Sequence, residues 1–345
     1  MAFAQLTYRE SLRDIEACLR AVDVKLYHLG IRGKVSRSTL SDANDSRSWQ
    51  IFSDFAQILI KEARALYVGD AFDLELDNAV YALDATVVDL CLSLFPWANY
   101  DCRNKGGIKI HTLLDLRGSI PAFVAITRRK VYELTVLDTM VIEAGAFYIM
   151  DRGYFDWKRL YRITTSGAFF VIRPKKGVAL RRRYSKKADR ATGVVSDQIV
   201  MSRGSKGHRL GYPKRLRRIR FFDETSQRYF VYLTNNFELP AATIAALYKK
   251  RWKIELFFKW LKQHLRIKNF YGTSENAMKT QIWIAITVYL LVAIAKKRLQ
   301  LPHSLYSILQ VLSVTLLEKK PILQAFREHE SHFSNLPLDN QLDLF

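Results

Sequence analysis

Asp84 stands in the middle of an otherwise apolar stretch, Ala79-Val80-Tyr81-Ala82-Leu83-Asp84-Ala85-Thr86-Val87-Val88, and Asp151 closes another, Ala146-Phe147-Tyr148-Ile149-Met150. A carboxylate among such residues is costly unless it is paired or coordinated. A third acid, Glu255, falls in the series Tyr248, Arg251, Glu255 and Lys262, spaced Y-x2-R-x3-E-x6-K. Carboxylates of this kind suit hard divalent cations, which take oxygen ligands and keep room for phosphate and water. The chemistry done most simply by two such ions about 4 Å apart is cleavage or exchange of a phosphodiester, one oxygen being activated for attack and the other stabilised as it leaves. Each acid also has a plainer reading. Asp84 could bond a neighbouring strand's backbone or a lysine, Asp151 could cap the helix that follows Gly153, and Arg251–Glu255 could be a surface i,i+4 pair worth only about 0.2–0.5 kcal/mol.

Position must decide between these readings. After Leu239-Pro240 the steps of three, four and seven predict one continuous helix with Tyr248, Arg251, Glu255 and Lys262 on a single face. Leu247, Ile254, Leu256, Phe257, Phe258 and Leu261 fill most of the rest, so the helix is expected to be largely buried. The surrounding lysines favour Glu255 as a metal ligand. Arg251 would then grip a phosphate bidentately, Lys262 would act as a point charge, and Tyr248 would bond a phosphate or stack on a base.

The N-terminal part reads as helices, from the three- and four-residue apolar steps in Tyr8 to Val22 and in Trp49 to Leu66, with Ser36 placed to cap a helix running toward Asn44. A helix-turn-helix DNA reader and a plain helical bundle both fit that pattern. From Asn78 onward, strands are predicted at 79–88, 107–116 and 120–127, the last two joined at Arg117-Gly118, and again at 146–150 and 168–173. Helices are predicted at 133–142 and 157–165. Strands followed by alternating helix and strand indicate an α/β core with a mixed sheet.

The chain has 345 residues, 54 Lys+Arg against 33 Asp+Glu for a net charge of +21, and 49% hydrophobic residues. That apolar content excludes a disordered basic tail, and the surplus calls for a polyanion. Val171 to Arg220 holds 17 Lys+Arg against two Asp, Asp189 and Asp197. A solvated loop is the bland reading of such a run. Because it alternates with strand-like stretches at 198–201, 216–222 and 229–234, a DNA-facing ribbon fits better, with Arg181, Arg182, Arg183, Lys214, Arg215, Arg217 and Arg218 as phosphate contacts. The longest apolar run, Ile282 to Ala295, is shorter than the roughly 20 residues of a membrane span, so no membrane partner is expected. Without a signal peptide, and with Cys18, Cys91 and Cys102 widely spaced, the chain is expected to be cytoplasmic.

Asp84 in Leu-Asp-Ala-Thr, Asp151 in Met-Asp-Arg-Gly-Tyr and Glu255 in the Y-R-E-K spacing resemble the DDE triad and signature of bacterial insertion-sequence transposases of the insertion-sequence-four type, over about Ala79 to Lys297. The resemblance implies an α/β fold: a ribonuclease H-like mixed-sheet core, 76–176 and 240–325, interrupted by a basic β-rich insertion, 177–239. It also implies a helical, DNA-end-binding region at 1–75 that lacks an N-terminal part, followed after the core by a polar tail at 326–345. Asp84, Asp151 and Glu255 would be catalytic and hold two Mg²⁺ ions, with Mn²⁺ as a substitute. The activity implied is cut-and-paste transposition on double-stranded DNA, both transposon ends and target, through a hairpin intermediate and by a homodimer in the bacterial nucleoid. A truncated, catalytically silent regulator is the alternative. Relatives use an insertion Trp to stabilise a flipped base. None of the six Trp here lies in the insertion, so either another aromatic such as Tyr212 or Phe221 serves or base flipping is done differently.

The final residues, Gln341-Leu342-Asp343-Leu344-Phe345, match the peptide that binds the bacterial replicative sliding clamp. Leu342, Leu344 and Phe345 would fill an apolar groove while Gln341 bonds at its edge. A frayed chain end is the alternative.

Overall fold

The computed structural model describes residues 2–326 apart from 28, 29, 71, 73, 75, 99–105, 204–211, 266, 268, 269, 319 and 320. The clamp-type peptide at Gln341, Leu342, Leu344 and Phe345 lies outside the described residues, as does Cys102. In chain order the elements begin with α1 (Ala2–Leu6), α2 (Leu12–Ala21), α3 (Asp23–Leu26), α4 (Arg37–Ser46) and α5 (Gln50–Tyr67). They continue with β1 (Val80–Leu90), β2 (Gly106–Asp115), β3 (Ile120–Arg128), α6 (Glu133–Thr139), β4 (Phe147–Met150), α7 (Trp157–Thr165) and β5 (Phe169–Ile172). Then come β6 (Leu180–Lys186), β7 (Val194–Ser202), β8 (Leu216–Asp223), β9 (Arg228–Thr234), α8 (Ala241–Lys249), α9 (Trp252–His264), α10 (Glu275–Arg298) and α11 (Leu305–Thr315).

The chain divides into two compact units, one of residues 60–260 and one of residues 1–59 with 261–345. The expected boundaries at 75/76 and 325/326 differ from this division, because the chain beyond Trp260 packs with the N-terminal helices.

Residues 60–260 carry one nine-stranded sheet in the order β3-β2-β1-β4-β5-β9-β8-β7-β6. β1, β2 and β3 pair antiparallel, while β1, β4 and β5 run parallel. β-Branched and aromatic residues make these strands, and all four residues of β4 are buried, as expected of a parallel strand covered on both faces. The β2–β3 hairpin turns through consecutive positive φ at Gly118 (+67°) and Ser119 (+55°), and a Cβ at Gly118 would run into the Tyr67 ring. Residues 177–239 extend this sheet: β9 pairs antiparallel with β5, and β8, β7 and β6 continue it. β6 had no counterpart in the sequence reading. Its five middle residues are exposed, so it lacks the apolar alternation that marks a half-buried strand.

In the other unit, α2 and α4 are N-capped by Ser11 and Ser36, whose hydroxyls accept from the backbone N–H groups of Asp14 and Thr39. α10 is longer than the apolar run suggested. By length and composition it could cross a membrane, and 89% of its apolar window is buried inside the protein. The run was underestimated because buried polar residues, Thr280, Gln281 and Thr287, interrupt or border it. A helix apolar on all sides is accommodated here as the core of the helical unit.

Candidate catalytic centre and basic strands

The sheet register aligns the first two acids. Leu83 of β1 pairs with Met150 of β4, and Met150 with Ile172 of β5. One step further along each strand stand Asp84, Asp151 and Arg173. They form a row across three parallel strands on the carboxyl side of β4 and β5, the side on which open α/β sheets bind ligands. Asp151 also caps the short turn Arg152–Tyr154, its Oδ1 accepting from the Gly153 N–H at 2.8 Å, whereas the helix that follows, α7, is capped by Asp156.

Glu255 reaches the row through an arginine. The predicted continuous helix is interrupted: α8 ends at Lys249 and α9 starts at Trp252. Between them the bonds tighten to three-residue steps, with Arg251 N–H donating to Tyr248 O at 3.1 Å, Lys253 N–H to Lys250 O at 3.0 Å and Ile254 N–H to Arg251 O at 3.1 Å. Such a 3₁₀ step inside a helix often marks a functional position. The Arg251 guanidinium donates through Nη1 to Asp84 Oδ2 at 2.8 Å and through Nη2 to Glu255 Oε1. Arg251 thus joins Glu255 of α9 to Asp84 of β1, 167 residues before the arginine, where the sequence pattern predicts a phosphate contact. Tyr248 is buried, with its ring 4.8 Å from that of Tyr232. Lys262 is half-buried in the last turn of α9 and belongs to the helical unit.

Burial pushes the Asp84 carboxyl up to about 6. The charges of Asp151 and Glu255 raise it further, and the Ala85 N–H and Arg251 oppose them. Among the described residues, no three His, Cys, Asp or Glu side chains converge closely enough to hold a metal ion, since the guanidinium stands between two of the acids. The donor chemistry still fits a hard divalent cation. The three acids offer oxygen ligands only, and the spot already holds a positive group.

Two neighbours escaped the sequence reading. Tyr154 is 1% exposed, its hydroxyl has no hydrogen-bond partner, and Asp84, Glu133 and Asp151 all act on it electrostatically. Glu133 opens α6, pairs with Lys109 at 3.1 Å and lies close enough to Asp151 that a Cβ on Gly153 would sit 3.0 Å from Asp151 Oδ1 and 3.4 Å from Glu133 Oε2. Their signal was present for Tyr154 alone, as the apolar end of Met-Asp-Arg-Gly-Tyr.

The basic segment from β6 to β8 divides into exposed and structural cations. Arg181, Arg182 and Arg183 on β6, with Lys214 and Arg215 ahead of β8, are exposed. Arg218 is half-buried and donates to Gln198 Oε1 at 3.3 Å. Arg217 is 3% exposed and grips Asp197 bidentately, Nε to Oδ1 at 2.9 Å and Nη2 to Oδ2 at 2.8 Å, while Nη1 donates to Leu239 O. This corrects its assignment as a DNA contact: its donors are spent inside the sheet unit. Tyr212 is likewise a core residue, 2% exposed, among Trp157, Tyr161 and Phe170, with its hydroxyl 2.7 Å from that of Thr164. It presents no face to a base. Phe221 is half-buried, with the Lys249 ammonium 5.6 Å from its ring centre.

A mixed sheet with two acids in register, a third held by an arginine, and a continuation of strands bearing exposed cations defines a carboxylate-centred α/β protein suited to a polyanion. Residues 75–291 match the family described as Transposase DDE domain, and residues 1–32 match one described as a domain of unknown function, DUF4372. The chain is 33% identical over 270 residues to a Sinorhizobium fredii protein carrying a transposase name, y4zB, across 75% of this chain and 71% of that one. It is 30% identical over 219 residues to a protein of Geobacillus stearothermophilus named as a transposase for insertion sequence element IS5377, across 63% of this chain and 57% of the relative. To a Synechocystis protein named as a transposase for element IS4SA it is 26% identical over 320 residues, 86% of this chain and 80% of that one. The chain belongs to the DDE transposase family.

Proposed function

We propose that the chain is a DNA transposase of the insertion-sequence-four type that cuts at transposon ends and joins them to target DNA, with Asp84, Asp151 and Glu255 as its catalytic acids. The observation that carries this reading is the alignment of Asp84 and Asp151 on neighbouring parallel strands with Glu255 tied to Asp84 through Arg251. The three acids would hold two Mg²⁺ ions, which when bound supply Lewis-acid activation of the attacking oxygen and stabilisation of the leaving one. The chain's own part is charge and placement. Burial keeps Asp84 poised to give up a proton near neutral pH, Arg251 keeps it and Glu255 oriented, and the exposed cations of β6 and the segment before β8 hold the phosphate backbone.

In the proposed sequence, water attacks the phosphorus at the transposon end and the P–O3′ bond breaks, leaving a 3′-hydroxyl and a 5′-phosphate. That hydroxyl attacks the phosphorus of the opposite strand, whose P–O3′ bond to the flanking DNA breaks as the hairpin closes; water opens the hairpin and restores the 3′-hydroxyl, which attacks a target phosphodiester and displaces a target 3′-hydroxyl. A homodimer would hold both ends. The second reading, a catalytically silent regulator that occupies ends, is favoured by the Arg251 guanidinium standing between Asp84 and Glu255. Incubation with DNA carrying the flanking inverted repeats and Mg²⁺ or Mn²⁺ separates the two. Nicking that Asp84→Ala abolishes supports the transposase, and binding without nicking supports the regulator. Cleavage indifferent to the end sequence indicates a general nuclease instead.

A further inference from the structure

Within the sheet unit many cations are answered by an acid: Arg159 by Asp138, Arg217 by Asp197, Lys249 by Asp223 and Arg251 by Asp84. Five others meet at one cavity of about 400 Å³, walled by Arg152, Arg173, Lys175, Lys176 and Arg218, with Tyr229 at its side. No carboxylate lines this cavity, and among the described residues no acid pairs with any of the five. Like charges gathered in a concavity raise the local positive potential, which an entering anion offsets.

The cavity adjoins the acid row. Arg152 directly follows Asp151, and Arg173 holds the next register position beside Asp151. Arg173 is steadied with its guanidinium 5.1 Å from the Phe230 ring centre, and Arg218 by its bond to Gln198. Lys175 and Lys176 are exposed on a turn whose Gly177 has φ +78° and open space where a side chain would start, so a ligand can approach the backbone there. Three planar guanidinium forks for bidentate contact and two ammonium groups suit phosphate oxygens.

We propose that this cavity binds consecutive backbone phosphates of a DNA strand next to the phosphodiester presented to Asp84 and Asp151. The inference rests on the DNA-processing reading above and deepens it. The strand's grip is assigned to the core edge at residues 152 and 173–176, not to the insertion alone. Each phosphate contact displaces counterions, so the cost of salt counts the contacts.

The test is binding of duplex end DNA without divalent metal, across a salt series, for the wild type, Lys175→Gln/Lys176→Gln and Arg173→Gln. The expected result is a log-affinity against log-salt slope shallower by about 0.9 for each contact removed. An interference pattern from neutral methylphosphonates near the cleavage point should also disappear in the variants. The double lysine variant sits on an exposed turn and leaves the fold intact by thermal denaturation. Unchanged slope and interference in both variants overturn the pocket while the wild type's DNA binding and cleavage leave the transposase reading standing. A wild type that neither binds nor cuts DNA overturns both. Inorganic pyrophosphate binding as tightly as DNA assigns the cavity to a small free anion and also overturns the proposal.

Discussion

Two arginines of the same basic segment behave in opposite ways. Arg217 on β8 is buried, forked onto Asp197 and bonded to the chain at Leu239, while Arg182 on β6, two strands away toward the sheet edge, is exposed. The same contrast separates the middle of the sheet from its β6 edge. At β1, β4 and β5 the strands are largely buried and charge is scarce, so each carboxylate is held by a named neighbour, Asp84 by Arg251 and Asp151 by the Gly153 N–H. At β6 the strand is exposed, and charge costs the fold little. A charge in the middle of the sheet is a statement about chemistry or stability, whereas at the β6 edge it is a statement about what the surface meets.

The comparison can be broken most sharply at the acids. Replacing Asp84, Asp151 or Glu255 by Ala is expected to lower DNA-end cleavage by at least about a thousandfold while leaving DNA binding intact, since interactions specific to the reacting atoms affect rate more than affinity. A gel assay of nicking beside a binding titration checks both. Next in size is Arg217→Ala, which strands Asp197 in the interior. A loss of about 3–5 kcal/mol by urea denaturation is expected, as for a buried ion pair with one partner removed. A loss below 0.5 kcal/mol would make Arg217 no different from the exposed arginines.

Asp84 gives a pH signature. Its folded carboxyl titrates near 6 instead of near 3.8, so the native state takes up this proton before the unfolded chain does. This group therefore adds stability as pH falls from about 6 toward 3.8, and its charge is a burden at neutral pH. In the metal-free protein Asp84→Asn should be more stable than wild type at pH 7 by on the order of 2–3 kcal/mol, with the difference closing below pH 4. His111, whose pKa burial depresses to about 4, moves the opposite way. It binds its proton later than in the unfolded chain, so its contribution falls as pH drops from about 6.5 to 4. The wild-type-minus-variant difference removes that common term. The smallest effect belongs to the open end of the sheet. Arg181→Gln/Arg182→Gln/Arg183→Gln should change stability by less than about 0.5 kcal/mol per site while making DNA binding less sensitive to salt.

The division between legible and illegible follows the same line. β1, the β2–β3 hairpin, β4, α7 and β5 were readable because burial imposes composition and period on them, and an Asp inside such a run draws notice at once. β6 was unreadable because an exposed arginine-rich strand has no apolar face to show. The break between α8 and α9 was hidden too: nothing between Tyr248 and Trp252 forbids a helix, and the tightened turn accompanies Arg251's contacts with Asp84 and Glu255, the first of them outside the helices. Arg217 looked like its neighbours in sequence. Only its pairing with Asp197, 20 residues earlier, distinguishes it.

The central claim is that Asp84, Asp151 and Glu255 form one divalent-metal centre. Fe²⁺ with ascorbate, substituted for Mg²⁺, cuts the polypeptide next to wherever the ion sits. The account predicts cuts at three places, around 84, 151 and 255, all lost together in Asp151→Ala and all competed by Mg²⁺. Cuts at one site only, or cuts that survive that substitution, would contradict it.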